Sequence, residues 1–178
     1  AIKRANSSVT GLLNYARQRV PEIKDIYPDK LLNDILALYH TKFKSYDIDL
    51  KVNISSSSAI KSDAGLLGQV FENIVKNSID AQKGGGFLQC LLKVVESSYS
   101  EQLKNDTKKW LLISFINGNC QVTPENSKQI LKPYFTTRVD GTGLGMAIVQ
   151  NIVTSLNGKV EVNIYDDNII ETIIFLPL

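Results

Sequence analysis

Residues 69–81 read Gln69-Val70-Phe71-Glu72-Asn73-Ile74-Val75-Lys76-Asn77-Ser78-Ile79-Asp80-Ala81. Apolar residues recur there at spacings of three and four. With Leu66 and Leu67 ahead, Val70, Phe71, Ile74, Val75 and Ser78 make one buried stripe, which predicts an amphipathic helix over 63–82. Asp63 stands where a cap is wanted, and Gly84–Gly86 ends the run. Asn73 and Asn77 are four apart, so both amides project from one side, with Lys76 and Asp80 flanking the same stripe. Two neutral amide oxygens suit a Mg²⁺ whose other ligands are phosphate oxygens and water, because the phosphates already carry the negative charge. A solvated polar face produces the same pattern, so this stretch settles a helix before it settles a chemistry.

Strands and helices alternate around it. A helix is expected over 1–20 from Ile2, Val9, Leu12, Leu13 and Ala16, followed by a break at Pro21 and Pro28. A second begins at Asp29 as candidate cap, with Leu31, Leu32, Ile35, Leu36 and Tyr39 as its stripe. Ile48, Leu50, Val52 and Ile54 alternate as a strand. Further strands are expected over 87–96 and 110–116, joined by a polar hairpin loop, and over 159–165 and 169–176, joined by an Asp-Asp-Asn turn. Between them, 117–144 is irregular, and a last long helix runs from about Met146 to Leu156. Gly158 stands where a left-handed residue is wanted. This order favours a two-layer α/β (α+β) sandwich, with a mixed, mostly antiparallel sheet and helices on one face.

Composition narrows the classes. The 178 residues suit one domain with a short appendage, and a hydrophobic fraction of 43% supports a core. No run approaches the roughly 20 apolar residues of a membrane span, and the start has no signal-peptide pattern. A net charge of +2 is no footprint for nucleic acid. Cys90 and Cys120 fit no metal spacing and read as free thiols in a reducing compartment. His40 is the one histidine, which excludes His-cluster metal sites.

Three more segments carry candidate chemistry. Gly141-Thr142-Gly143-Leu144-Gly145 runs into the last long helix, where backbone N–H groups and the helix dipole favour phosphate. No buried strand precedes these glycines, Met146 occupies the third fingerprint position, and no Gly-Lys-Ser/Thr exists. Dinucleotide and Walker-type loops are therefore set aside. Phe135-Thr136-Thr137-Arg138 offers two hydroxyls and a guanidinium for a phosphate clamp. Asn117-Gly118-Asn119 ends a strand, where a side chain meets a base edge or simply makes a turn.

In this order the four segments resemble the GHKL (Bergerat-fold) ATPases, the family of sensor histidine kinases, Hsp90, DNA gyrase B and MutL. The resemblance covers roughly residues 24–178. Residues 69–81 are similar to the N box, 132–138 to the F box of histidine kinases, and 141–149 to the G2 box. Asparagine at 73, where Hsp90-like ATPases place a glutamate base, points to kinases, as does the F box, and the chain as a whole resembles NtrB/NtrY-like two-component kinases. The G1 box departs: anchored on Val122 and Pro124-Glu125, Asn117 stands where the family aspartate binds the adenine amino group, and both box glycines are lost. An amide accepts that hydrogen bond more weakly than a carboxylate.

The resemblance implies a catalytic ATP-binding domain over 21–178, using ATP and Mg²⁺. Asn77 is implied to hold the metal, with Asn73 beside it. Lys76, Asp80, Asn117, Phe135, Thr136, Thr137, Arg138, Gly141, Thr142, Gly143, Leu144, Gly145 and Thr172 complete the nucleotide contacts, under a short lid over about 123–142. Residues 1–20 look like the end of a dimerisation helix, which puts the phosphoacceptor histidine upstream. His40, followed by Thr41-Lys42-Phe43, lacks the acidic neighbour usual after an acceptor. The implied reaction passes the ATP γ-phosphate to that histidine and then to a response-regulator aspartate. The implied setting is a homodimeric parent chain, anchored in a membrane or not, with this part in the cytoplasm. Two other readings stay open: a kinase-like docking or phosphotransfer module with a weakened ATP site, and an ATPase without a histidine substrate.

Overall fold

The structure, a computed structural model, describes residues 20–55, 57–99, 109–118, 122–138, 141–165 and 168–178. In chain order its elements are β1 (Lys24–Ile26), α1 (Pro28–Leu38), α2 (His40–Ser45), β2 (Ile48–Ile54), β3 (Ile60–Ser62), α3 (Ala64–Ala81), β4 (Gly86–Glu96), β5 (Lys109–Asn117), α4 (Gly145–Ser155), β6 (Lys159–Tyr165) and β7 (Ile169–Pro177). A 3-10 helix, Pro124–Gln129, lies in the stretch expected to be irregular. Residues 1–19 of the helix expected over 1–20, and the Asp166-Asp167 part of the last turn, lie outside the described residues.

Five strands form one sheet in the order β2-β4-β5-β7-β6. β2 runs parallel to β4 and every other pair is antiparallel, so the sheet is mixed and mostly antiparallel. Alternation along the strands sends Leu88, Cys90, Leu111, Ile113, Phe115 and Ile174 to the helical side. There they pack with Leu32 and Leu36 of α1, Leu67, Val70, Phe71, Ile74 and Val75 of α3, and Ile148, Val149 and Val153 of α4. Phe71 and Phe115 meet with ring centroids 5.8 Å apart. The opposite face is not bare. Val95, Trp110, Leu112, Ile173 and Phe175 form a second, smaller apolar cluster, and Tyr99 sets its ring edge against Phe175. Central strands buried on both sides explain why 110–116 reads as a continuous apolar run.

Helix ends follow local chemistry, with two corrections to the sequence reading. Asp63 caps α3: its Oδ1 accepts the Leu66 N–H at 3.0 Å, and its Oδ2 accepts the Glu22 N–H at 2.8 Å. Asp29, however, is not the cap of α1. The N-cap is Tyr27, without a side-chain cap bond, and Pro28 takes the first turn, where its missing N–H costs nothing. Asp29 is buried one residue later and accepts the Ser57 hydroxyl at 2.5 Å. At the end of α4 the left-handed residue is Asn157 (φ 58°), not Gly158. The Gly158 N–H reaches the Val153 carbonyl at 2.8 Å and the Asn157 N–H the Thr154 carbonyl at 3.0 Å, a Schellman motif. Gly158 serves close packing instead, since a Cβ there would lie 2.8 Å from Val153 Cγ1.

The antiparallel pair β1–β3 and the short helix α2 were not anticipated. Three-residue strands are too short to show a period.

Candidate functional site

The buried stripe of α3 fixes its rotation, and that rotation turns Asn77, Lys76 and Asp80 toward a cavity of 590 Å³. This lies within the usual size of a small-molecule cleft, roughly 300–1,000 Å³. The end of β5 supplies Asn117, and its neighbour β7 supplies Ile170 and Thr172 on the same face. Strand alternation sends Ile116 the other way, so Asn117 is the residue of that strand end that lines the cavity. Phe135, Thr136, Thr137 and Arg138 close one side, Gly141, Thr142 and Gly143 another, and Val122, Ile130 and Met146 add apolar wall. Segments more than 90 positions apart, from Ile74 to Thr172, thus share one enclosure.

Three of the expected contact residues sit just behind this lining. Asn73 donates its Nδ2 to the Gln69 carbonyl at 2.9 Å, which leaves its Oδ1 on the side of Gly145. A Cβ on Gly145 would lie 3.3 Å from Asn77 Nδ2 and 3.7 Å from Asn73 Oδ1, so the glycine lets the start of α4 close on both amides. The Leu144 side chain is buried in the core at 2% exposure rather than lining the cavity. Its N–H is accepted by Thr142 Oγ1 at 3.4 Å.

The two loops are stacked backbone on backbone. Gly143 has φ 67°, and a Cβ there would lie 2.7 Å from the Cα of Tyr134, itself left-handed at φ 65°. A Cβ on Gly141 would collide with Thr136 Oγ1. That hydroxyl accepts the Arg138 N–H at 3.1 Å, so it shapes its own loop.

Charge is organised in two places. Arg138 Nη1 pairs with Asp80 Oδ2 at 2.8 Å. Lys76 Nζ pairs with Glu72 Oε1 at 2.8 Å, one turn back, and the Tyr39 hydroxyl donates to the same oxygen at 2.8 Å. The Lys76 and Tyr39 hydrogen bonds hold the Glu72 carboxyl below its ordinary range. Burial, then the Glu72 hydrogen bond, raises the Tyr39 hydroxyl. Burial pushes the Lys76 ammonium down, but the Glu72 and Tyr39 interactions outweigh it and the net shift is upward.

Sequence reasoning placed Ser78 only in the buried stripe. In the structure its hydroxyl lies 2.9 Å from Asn117 Oδ1 and ties α3 to the end of β5. Met146, Val122, Ile130 and Ile170 were also missed, since an apolar residue in a mixed pattern gives no sign that it faces a cavity rather than the core. His40 is exposed at the first residue of α2. It borders a separate depression with Phe43, Lys44, Asp47 and Asp49 that shares no lining residue with the main cavity.

The lining fits a phosphate-bearing ligand with an aromatic base, since it combines an amide, a guanidinium and a glycine loop with apolar walls and a second amide beside a hydroxyl. The signal transduction histidine-protein kinase AtoS of Escherichia coli (strain K12) is 28% identical over 158 residues, 88% of this chain and 24% of its own length. Sporulation kinase C of Bacillus subtilis (strain 168) is 29% identical over 163 residues, 90% of this chain and 35% of its own length. The chain spans between a fifth and just over a third of the length of the curated relatives it matches. Among solved structures, the catalytic domain of histidine kinase ThkA shares the fold with a TM-score of 0.74 at 22% identity, over 88% of this chain and 95% of that one. ThkA in complex with response regulator protein TrrA aligns with a TM-score of 0.78 at 21% identity, over 99% of this chain and 48% of that one. The family model "Histidine kinase-, DNA gyrase B-, and HSP90-like ATPase" matches residues 62–177, more than half of the chain, and the chain belongs to that family.

Proposed function

We propose that this chain is the ATP-binding catalytic domain of a two-component sensor histidine kinase. The observation that carries the proposal is the single cavity in which α3, the end of β5, the Phe135–Arg138 loop and the glycine loop meet. Domains of this kind do little covalent chemistry; they position the phosphoryl group and neutralise its charge. Asn77, with Asn73 beside it, would hold Mg²⁺, which supplies charge neutralisation on the phosphates. Thr137 and Arg138 contact phosphate, with Lys76 adding positive potential. The backbone N–H groups of Gly143 and Gly145 wrap the same oxygens at the positive end of α4, and that of Gly141, which donates to the Arg138 carbonyl at 3.2 Å, would join them on release from that bond. Thr136 and Thr142 shape the two loops, Phe135 adds wall, and Asn117 and Thr172 face the base.

The proposed acceptor is a histidine upstream of this chain, in a dimerisation domain whose last helix residues 1–20 would end. A response regulator would then receive the phosphoryl group. Support comes from relatives named histidine kinases and from ThkA, which is known in complex with a response regulator protein. Among the described residues no helix is long and apolar enough to cross a membrane. The proposal puts this part in the cytoplasm, whether or not a homodimeric parent is anchored.

A docking module without nucleotide binding is the second reading, favoured by the amide at Asn117, whose carbonyl is already engaged by Ser78. Titration calorimetry with a nonhydrolysable ATP analogue and Mg²⁺ separates the two; absence of binding leaves only the docking module. The kinase step is tested with radiolabelled ATP under acid-sensitive detection. The chain alone should stay unlabelled, since His40 borders a different depression. A fragment carrying the upstream helix, added in trans, should become labelled. An acid-labile phosphate on the isolated chain that His40→Ala abolishes would overturn this assignment.

A further inference from the structure

The base end of the cavity is wired differently from a carboxylate site. Asn117 is 6% exposed and lines the cavity. Its Oδ1 lies 2.9 Å from the Ser78 hydroxyl, and its Nδ2 donates to the Gly118 carbonyl at 3.1 Å. The Ser78 hydroxyl also reaches the Ile74 carbonyl at 3.0 Å, so its one hydrogen is shared between two acceptors, and it is the Gly118 bond that sets the amide orientation. Flipping it would set Oδ1 against the Gly118 oxygen, two acceptors with no hydrogen between them. Held this way, the amide keeps one N–H and one lone pair uncommitted. Beside it on the sheet, Thr172 is 5% exposed and lines the same wall, and its hydroxyl both donates and accepts. The one carboxylate among the described lining residues, Asp80, is paired with Arg138.

A carboxylate accepts only. It bonds the 6-amino group of adenine and repels a 6-oxo group, lone pair against lone pair. A primary amide and a hydroxyl do not make that distinction. The amide lone pair takes an amino hydrogen or the amide N–H donates to an oxo group. The hydroxyl donates to an unprotonated ring nitrogen or accepts from a protonated one. We infer that this site, through Asn117 and Thr172, takes purine nucleotides with either a 6-amino or a 6-oxo group, so that inosine and guanosine nucleotides are ligands alongside ATP. The inference rests on the nucleotide-binding reading above and deepens it by naming the substrate class.

The test is calorimetric titration of the full chain with ADP, IDP and purine riboside diphosphate, which lacks any group at position 6, each with Mg²⁺. ADP and IDP should differ in Kd by less than about tenfold, and each should outbind the purine riboside compound by about threefold or more. A preference for ADP of tenfold or more overturns the inference while leaving the nucleotide site intact, as does equal binding of all three. Binding of none removes the nucleotide site itself, and the inference with it. Asn117→Asp should move the ADP:IDP ratio about tenfold toward ADP, because a carboxylate cannot donate to the oxo group. Its repulsion from the Gly118 carbonyl weakens both ligands alike, so the ratio is the readout. An unchanged ratio in a variant that melts cooperatively overturns the assignment. The three wild-type titrations decide the question should the variant fail to fold.

Discussion

Arg138 Nη1 and Asp80 Oδ2 stand 2.8 Å apart, which joins the Phe135–Arg138 loop to α3 at the wall of the cavity. Both side chains are 36% exposed, so the pair is screened and worth about 0–1 kcal/mol. A phosphate that draws Arg138 must share it with Asp80 or take it away. Arg138→Ala should weaken binding of an ATP analogue about tenfold, the loss of one charge-assisted hydrogen bond. Asp80→Ala should change it less than about fivefold. The double variant should show a coupling of up to about 1 kcal/mol that shrinks as salt is raised. Strictly additive single effects would mean that the pair has no bearing on the nucleotide.

Gly143→Ala should be costly and Gly84→Ala should not. At 143 the new methyl is forced onto Tyr134 backbone in a left-handed residue; at 84 it meets nothing within 4 Å. The left-handed penalty alone is about 1–2 kcal/mol, which lowers the melting temperature by about 4 °C. Because the clash displaces the glycine loop, nucleotide affinity should fall at least about tenfold as well. Calorimetry and thermal melts of the two variants side by side check this. Equal behaviour would mean that the loop backbones are not in contact.

Asn77→Ala should remove the Mg²⁺ dependence of nucleotide binding. In the wild type, chelating the metal should weaken affinity about tenfold or more. In the variant, affinity with and without Mg²⁺ should converge near the metal-free value. Asn77 is half-buried on a helix whose core face it does not touch, so circular dichroism should stay unchanged. A variant that still tightens on Mg²⁺ addition places the metal elsewhere.

The buried thiol of Cys90 sets an alkaline prediction. Burial pushes it up to about 12, whereas an unfolded thiol ionises near ~8.5. The folded chain holds this proton where the unfolded chain loses it. Its contribution to stability is therefore complete below about pH 8.5 and declines as pH rises toward 12. In a Cys120→Ser background, iodoacetamide at pH 8 should leave Cys90 unmodified until denaturant is added. Labelling of the native protein at the rate of a free thiol would show that the strand opens.

The long elements were legible because each carries enough residues to show a period. The stripe from Leu66 to Ser78 marked α3, and the apolar run from Trp110 to Ile116 marked β5. The site was legible where its chemistry is polar and local, as in the Asn73–Asn77 pair and the glycine loop. It was not legible where a contact depends on register across the sheet. Nothing near Ser78 in sequence announces that Asn117, 39 positions on, will lie within hydrogen-bonding distance. Helix ends failed for a narrower reason. Asp29 and Gly158 are the residue types that caps prefer, yet Pro28 and Asn157 beside them took the special backbone positions.

Trp110 is the chain's single tryptophan, 3% exposed, and it lies in the apolar cluster on the sheet face that turns away from the cavity. The Lys159 ammonium sits 5.4 Å from its ring centroid. Intrinsic fluorescence therefore watches the wrong side of the sheet to see a ligand arrive. It is well placed to see the sheet come apart. A denaturation curve followed at this one fluorophore reports global unfolding, and a midpoint that moves when nucleotide is added measures binding with an optical probe the ligand never touches.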